Sequence, residues 1–271
     1  MHHETAIRLG FFSGIFILVA LGEILMPRRP LTTSKAGRWF TNLVIIALNP
    51  LVVRIMFPIL PVALAVLASQ RQWGLLNILA LPYWLEVAIG VIVLDFVIYI
   101  QHVLFHAIPT LWRLHMMHHA DLDFDVTTGL RFHPIEIAAS MAIKLTAVMA
   151  LGPPALAVLI FEVALNATSM FNHSNMRLPL FVDRLLRLLV VTPDMHRVHH
   201  SVIIRETNSN YGFNLPWWDR LFGTYTDQPQ RGHADMTIGL SQFRDPKGLT
   251  LLRLIVLPFV GDPGRVPINR H

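Results

Sequence analysis

Apolar residues run along this chain in long blocks, not in the alternating or half-polar patterns of a fold bathed in water. Residues 10–26 form a 17-residue run whose only charge is Glu23, and it stops at Pro27-Arg28-Arg29-Pro30. At 1.5 Å per helical residue the run covers about 25 Å, enough for a short membrane span. It sits where a signal peptide would, but no small-residue cleavage site follows, so an uncleaved first helix is expected. Residues 39–68 are largely apolar yet contain Asn42, Asn49, Pro50, Arg54, Pro58 and Pro61. That composition predicts a kinked span, or a span plus a re-entrant piece. Residues 83–106 form a cleaner span carrying Glu86 and Asp95, and residues 135–151 and 155–171 form two more. Gly152-Pro153-Pro154 between the last two predicts a tight hairpin. Residues 178–191 are apolar on one side with Asp183, Arg184 and Arg187 on the other, which places them along the membrane interface, and residues 249–259 fit the same role. No internal repeat, low-complexity tract or linker interrupts the pattern.

Composition agrees. Of the 271 residues, 54% are apolar and only 14% charged, with a mean hydropathy of +0.51. An ordinary soluble domain carries roughly a quarter charged residues. Disordered, collagen-like and disulfide-stapled classes are excluded, and the length suits a single domain. The absence of cysteine removes disulfides, iron–sulfur clusters, thiolate haem and cysteine-based zinc sites together. The expected fold is an all-α integral membrane protein with about four to five transmembrane helices and a cytoplasmic, histidine-rich, di-metal helical cap.

The side of the membrane follows from the basic residues. The formal charge of +5 comes mainly from arginine, and in a membrane protein this reads as loop charge facing an anionic leaflet, with no nucleic-acid partner. The loop after the first span carries Arg28, Arg29, Lys35 and Arg38, so it is expected to be cytoplasmic. Counting spans forward returns residues 102–134 and His173 to that same side, followed by Arg177, Arg184, Arg187 and Arg197. The opposite side keeps little beyond Arg8 and Arg71.

Ten of the 14 histidines fall between His102 and His200, all on this one face. His102 and His106 are spaced i, i+4; His115, His118 and His119 are spaced i, i+3, i+4; His196, His199 and His200 repeat that spacing. On a helix each group presents its imidazoles to one side. Eight imidazoles exceed what one tetrahedral zinc takes and fit two metal ions. Each histidine alone would pass as a polar anchor at an interface. Together, so many partly desolvated rings each need a partner. The HExxH zinc-protease pattern and the Glu-x-x-His pairs of carboxylate-bridged di-iron bundles are absent. A bis-histidine haem would need its ligands at matching depth inside spans. Imidazole ligands leave the metal itself, iron or zinc, unsettled.

The ordered set of motifs resembles the fatty acid hydroxylase/sterol desaturase superfamily of membrane di-iron oxygenases. It comprises Asp95-Phe-Val-Ile-Tyr99 with His102 and His106, then Leu111-Trp-Arg-Leu-His115-Met-Met-His118-His119, Arg131-Phe-His133-Pro134, and Asn172-His173-Ser-Asn175. Pro193-Asp-Met-His196-Arg-Val-His199-His200 and the tail from Asn210 through Trp217, Trp218 and Asp219 to Tyr225 complete it. The resemblance implies metal ligands at His102, His106, His115, His118, His119, His196, His199 and His200, with His173 as a ninth. Members that hydroxylate fatty acids carry another histidine four residues before the His173 position, where this chain has Ser169. His133 is a further candidate ligand, with a supporting or interfacial role as the alternative. The resemblance divides the chain into anchor helices (1–80), a catalytic region (83–226) and an interfacial tail (227–271). His2, His3, His233 and His271 lie outside its pattern.

Asp95 and Tyr99 share the helix face of His102. An intramembrane carboxylate is expensive, and accepting the second N–H of a ligating imidazole is the expected role of Asp95. Asp194 and Asp219 are weaker candidates for the same duty. Trp217 and Trp218 are expected to be interfacial anchors, and Lys144, mid-span, to snorkel.

The chemistry implied is O2-dependent oxidation by two iron ions of an unactivated C–H bond in a membrane lipid, giving an alcohol or, by loss of a second hydrogen, an alkene. The lipid's polar end is expected to stay at the histidine-side interface. Electrons would come from an external ferredoxin-like or cytochrome-like donor, docking on Arg113, Arg184, Arg187 or Arg205. Two other classes stay open at this point. A zinc-dependent membrane lipid hydrolase would need neither O2 nor reductant, and a metal transporter or sensor would spread its histidines along a path.

Overall fold

Wherever the sequence runs apolar for the thickness of a bilayer, the backbone is helical. The computed structural model describes residues 4–268; His2, His3 and His271 lie outside the described residues. Helix α1 spans Glu4–Leu25, α2 Lys35–Met56, α3 Pro61–Gln70, α4 Tyr83–Ala107, α5 Pro109–His119, α6 Pro134–Leu151 and α7 Ala155–Asn172. Shorter helices follow: α8 (Leu180–Leu186), α9 (Pro193–His199), α10 (Ile204–Thr207), α11 (Trp217–Leu221), α12 (Gly232–Asp235) and α13 (Leu251–Val260). Among the described residues there is no strand, only two isolated antiparallel bridges, Pro27 with Met176 and Ser201 with Ile238. Five helical segments are long and apolar enough to cross a membrane, in keeping with the expected all-α membrane fold.

Prolines set the breaks. The second span, Lys35–Asn77, is divided between α2, which carries Pro50 inside it, and α3, which starts on Pro61. This is the broken span the sequence predicts, since a proline lacks the N–H that would continue a helix and is tolerated at its first turn. Ile108 is extended ahead of Pro109, so the chain turns between α4 and α5. Gly152 closes α6 in the left-handed region, φ 65°, a conformation glycine adopts at no steric cost.

α4 packs against α5 and α7, α1 against α7, α2 against α6, and α3 against both α6 and α7. Leu94 and Ile98 of α4, Val62 and Ala65 of α3, Val148 of α6 and Phe161 of α7 fill the membrane core. A second apolar cluster lies under the cap, where Trp112, Met116 and Met117 of α5 meet Ile45, Leu240 and Leu254. Large apolar residues such as Leu18, Ile24, Phe40 and Trp84 face outward, as on a lipid-facing surface.

Buried charge bolts the cap to the spans. Arg38 donates to Asp121 (2.6 Å) and Asp125 (2.7 Å), and Asp123 accepts from the backbone N–H and hydroxyl groups of Thr32 and Thr33. Arg28 reaches Asp194, and Arg29 donates to the Met236 carbonyl. The basic α1–α2 loop is thus consumed by partners within the protein. Removing one member of such a buried pair leaves the other uncompensated, at a cost of roughly 3–5 kcal/mol. Residues 178–191, expected to lie along the interface, form the single short helix α8, which keeps Leu180, Phe181 and Leu185 exposed and pairs Asp183 with Arg187.

Candidate metal centre

Three helices and two helix ends deliver nine histidines to one buried volume. α4 supplies His102 and His106, α5 supplies His115, His118 and His119, the end of α7 supplies His173, and α9 and its end supply His196, His199 and His200. They sort into two groups, each with ligand atoms within 4.8 Å of one another: His102, His106, His115, His119 and His199 in one, His118, His173, His196 and His200 in the other. All nine are buried. The groups abut, because the neighbours His118–His119 and His199–His200 each send one ring to either side, and the rings of His119 and His200 stack at 4.5 Å.

The outward-facing nitrogens show which lone pairs point inward. His102 Nδ1 faces the carbonyl of Tyr211 (2.8 Å), His199 Nδ1 that of Ser209 (2.7 Å), and His173 Nδ1 that of Ser169 (2.8 Å). A carbonyl can only accept, so each of these nitrogens carries the proton and the Nε2 of each neutral ring is a bare lone pair. His115 Nδ1 donates to Glu136 Oε1 (2.6 Å), and His106 Nδ1 faces Asn208 Oδ1 (3.1 Å). The Nε2 atoms then confront one another: His102 with His115 at 3.2 Å, His106 with His119 at 3.2 Å, and His173 with both His118 and His196 at 3.1 Å. His102 and His115 both hold their proton on Nδ1, so their facing Nε2 lone pairs repel unless a cation lies between them. His199 Nε2 and His200 Nε2 are buried with no hydrogen-bond partner among the described residues, an expensive arrangement without an ion. The donor set fits two metal ions.

Burial keeps the rings neutral. It pushes the imidazoles of His115 and His173 down to about 3. Those of His118, His119, His196, His199 and His200 lie well below the usual range, first through burial and then through neighbouring imidazoles. Neutral imidazole is the form that ligates.

The other sequence candidates sit elsewhere. Asp95 does not meet an imidazole: its Oδ2 accepts from Trp218 Nε1 at 2.7 Å. Seven residues before His102, it lies about 10 Å down the helix axis, too far to touch the rings. Tyr99 meets Thr224 at 3.0 Å. The orienting role expected of Asp95 falls to Glu136 and to backbone carbonyls. His133 caps α6, its Nδ1 accepting from Ile135 N and its Nε2 facing the Ile255 carbonyl (3.0 Å), and it belongs to neither histidine group. Ser169 donates its hydroxyl to the Gly129 carbonyl and serves His173 through its own carbonyl. Asp219 accepts from the Tyr211 and Gly212 N–H groups at 2.8 Å each, holding the loop whose carbonyl meets His102. Asp194 pairs with Arg28 and Arg197. Trp217 is 42% exposed, as an anchor would be, whereas Trp218 is engaged by Asp95.

One glycine is required at the site. A Cβ on Gly129 would lie 2.4 Å from the Ser169 carbonyl oxygen and 3.0 Å from His173 Nδ1, so only glycine lets this turn approach the hydrogen bond that orients His173.

A cavity of about 550 Å³ reaches the centre from within the membrane region, a volume within the usual range of small-ligand sites. Phe105, Ile137, Met141 and Phe213 form part of its wall, and His102, His115 and Glu136 line the end nearest the centre.

Comparison with known proteins agrees with this geometry. The fatty acid hydroxylase family model matches residues 87–224. Ornithine lipid hydroxylase OlsE of Rhizobium tropici is 30% identical over 235 residues, 82% of this chain and 67% of that protein. Alkylglycerol monooxygenase of Xenopus tropicalis is 27% identical over 179 residues, covering 63% of this chain and 38% of its own length. The human alkylglycerol monooxygenase is 26% identical over 169 residues, covering 60% and 35%. The chain therefore spans about two thirds of the bacterial hydroxylase and well under half of the monooxygenases. No solved structure matches at a comparable level.

Proposed function

The chain belongs to the fatty acid hydroxylase family, and from that premise we propose that it is a multi-pass membrane oxygenase whose nine clustered histidines hold two iron ions and which hydroxylates or desaturates an unactivated carbon of a lipid. The observation that carries this reading is the convergence of nine buried imidazoles, five of them with Nδ1 held by an acceptor so that Nε2 is the free ligand atom, at the end of a largely apolar cavity. Bound iron would supply the one-electron chemistry with O2 that an unactivated C–H bond demands and that no side-chain acid or base provides. The chain's own residues orient and enclose. Glu136, Asn208 and the carbonyls of Tyr211, Ser209 and Ser169 fix five ring tautomers, as such supporting bonds do in metal sites generally. Phe132 stacks on His118 at 4.4 Å and Phe213 lies 5.8 Å from His102, excluding water and giving a hydrocarbon chain an apolar wall. Residues 83–226 would carry the chemistry, with the helices before them as anchor.

Five nitrogen donors in one group favour iron over zinc, because catalytic zinc takes about three protein ligands and keeps an open position. That weighs against the hydrolase alternative. With no cysteine for an internal iron–sulfur relay, electrons would come from an external ferredoxin-like or cytochrome-like donor. We place the histidine face in the cytoplasm, supported by exposed Arg177, Arg184 and Arg205 at that end.

The deciding experiment measures bound metal in the purified protein, then follows lipids by mass spectrometry with O2 and a reductant. A gain of one oxygen or a loss of two hydrogens is expected. Reductant-independent lipid cleavage by a redox-silent metal would overturn the proposal. A single cysteine in place of exposed Ser241, in this cysteine-free chain, should be shielded from a membrane-impermeant thiol reagent in intact cells, and one in place of Gln72 should react.

A further inference from the structure

Away from the histidines, the cavity is lined by charge that oxygen chemistry does not use. Lys144 of α6 donates to Glu162 Oε1 of α7 at 2.8 Å, and Arg8 of α1 donates to the other carboxylate oxygen of Glu162 and, at 2.9 Å, to Glu4. Lys144 and Glu162 are buried. Arg54, in the last turn of α2, lines the same cavity and, among the described residues, has no hydrogen bond or ion pair. Away from the histidines, the cavity wall therefore carries three cations against two carboxylates.

Packing does not explain such a cluster. Apolar side chains of similar volume would join α1, α6 and α7 as well as a buried ion network does, and ionisable groups within a membrane generally mark a binding or transfer path. The network itself closes in charge, two cations on two carboxylates, and Arg54 adds a guanidinium to the cavity wall beyond it. Arg54 lies in the last turn of α2, the end remote from the cap, and is exposed. On α6, Lys144 is eight residues beyond Glu136, the residue bonded to His115, so the charged end lies about 12 Å from the histidine end. Phe105, Ile137 and Met141 are among the side chains lining the space.

We propose that this end of the cavity binds the anionic group of a lipid, a carboxylate or phosphate, on Arg54 and Arg8, with the Lys144–Glu162 pair fixing the Arg8 guanidinium. The hydrocarbon then runs along the apolar wall to the histidines. The polar end lies opposite the side expected from the sequence, and its distance from the centre determines which carbon is presented. The anion site stands on its own geometry; the presentation of a carbon rests on the oxygenase reading.

The test is equilibrium binding to the purified, metal-loaded full chain in detergent, using oleate, oleyl alcohol and oleoyl lysophosphatidate as probes. Oleate or the lysophosphatidate should bind at least tenfold tighter than the alcohol, and the better of the two identifies the anion. Arg54→Gln, at an exposed position, and Arg8→Gln should each reduce that preference about fivefold or more, with metal content and alcohol affinity preserved. Arg54→Lys should restore most of it. Equal binding of acid and alcohol by the unaltered protein, or a preference indifferent to Arg54→Gln and Arg8→Gln, overturns the proposal. Failure of the oxygenase reading looks different: anion preference would persist while O2 and reductant gave no oxidised lipid.

Discussion

Glu136 holds the Nδ1 proton of His115 at 2.6 Å across 21 residues of sequence. Both are buried, so the carboxylate fixes the ring's tautomer with no water to replace it. Glu136→Leu should lower metal affinity or activity about 10- to 100-fold, read as metal per chain and product per minute. Glu136→Gln, which keeps an acceptor oxygen, should retain more of both. Equal loss in the two variants would assign Glu136 a role other than orienting the ring.

His118→Ala removes one of four donors from its group, whereas His199→Ala removes one of five. The first should bring metal content to one ion per chain or less and abolish oxidation. The second should keep both ions at weaker affinity. Elemental analysis of protein extracted from the membrane fraction distinguishes them, and full metal occupancy in His118→Ala would refute its assignment.

Gly129→Ala places a methyl group 2.4 Å from the Ser169 carbonyl. The turn must shift, and the bond that sets His173 breaks with it. Loss of about 1–3 kcal/mol is expected from overpacking of this kind, seen as a lower unfolding temperature together with reduced metal content. An unchanged metal content would show that His173 does not depend on this contact.

Acid should weaken the fold partly through His233. Its ring is buried, with Nε2 3.1 Å from Gln228 Oε1, and burial pulls it down to about 3 despite the opposing pull of the Asp194 carboxylate. Between that value and 6.5 the unfolded chain binds a proton that the folded protein refuses, so stability rises with pH across the window and is lost as pH falls below 6.5. At pH 5 the share of this one residue is about 2 kcal/mol. Unfolding temperatures at pH 7.5 and pH 5 should therefore diverge less in His233→Gln than in the unaltered protein; parallel shifts would contradict the argument.

The spans and the histidine groups were legible because their signals are local. A run of apolar residues needs only its own length, and i, i+3, i+4 spacing puts rings on one side of a helix whatever surrounds it. Glu136 was not legible. At the start of a span it reads as a first-turn acid favoured by the helix dipole, and nothing nearby in sequence announces His115. Tyr211, Ser209 and Ser169 orient rings through their carbonyls, which no side-chain pattern encodes. Asp95 misled for the opposite reason: it shares the face of His102 but sits two turns away, where the approach of Trp218 decides its partner. Lys144, expected to snorkel, instead found Glu162 on a helix that only the fold brings beside it. Arg28 and Arg38 looked like loop charge for a leaflet, and the fold spends both on aspartates of the cap.

The two His-His dipeptides have a last consequence. Since one peptide unit links a ring in each half of the centre, seating the first cation stiffens the backbone that aims a donor at the second. Uptake should be cooperative, with singly metallated molecules scarce even when metal is limiting.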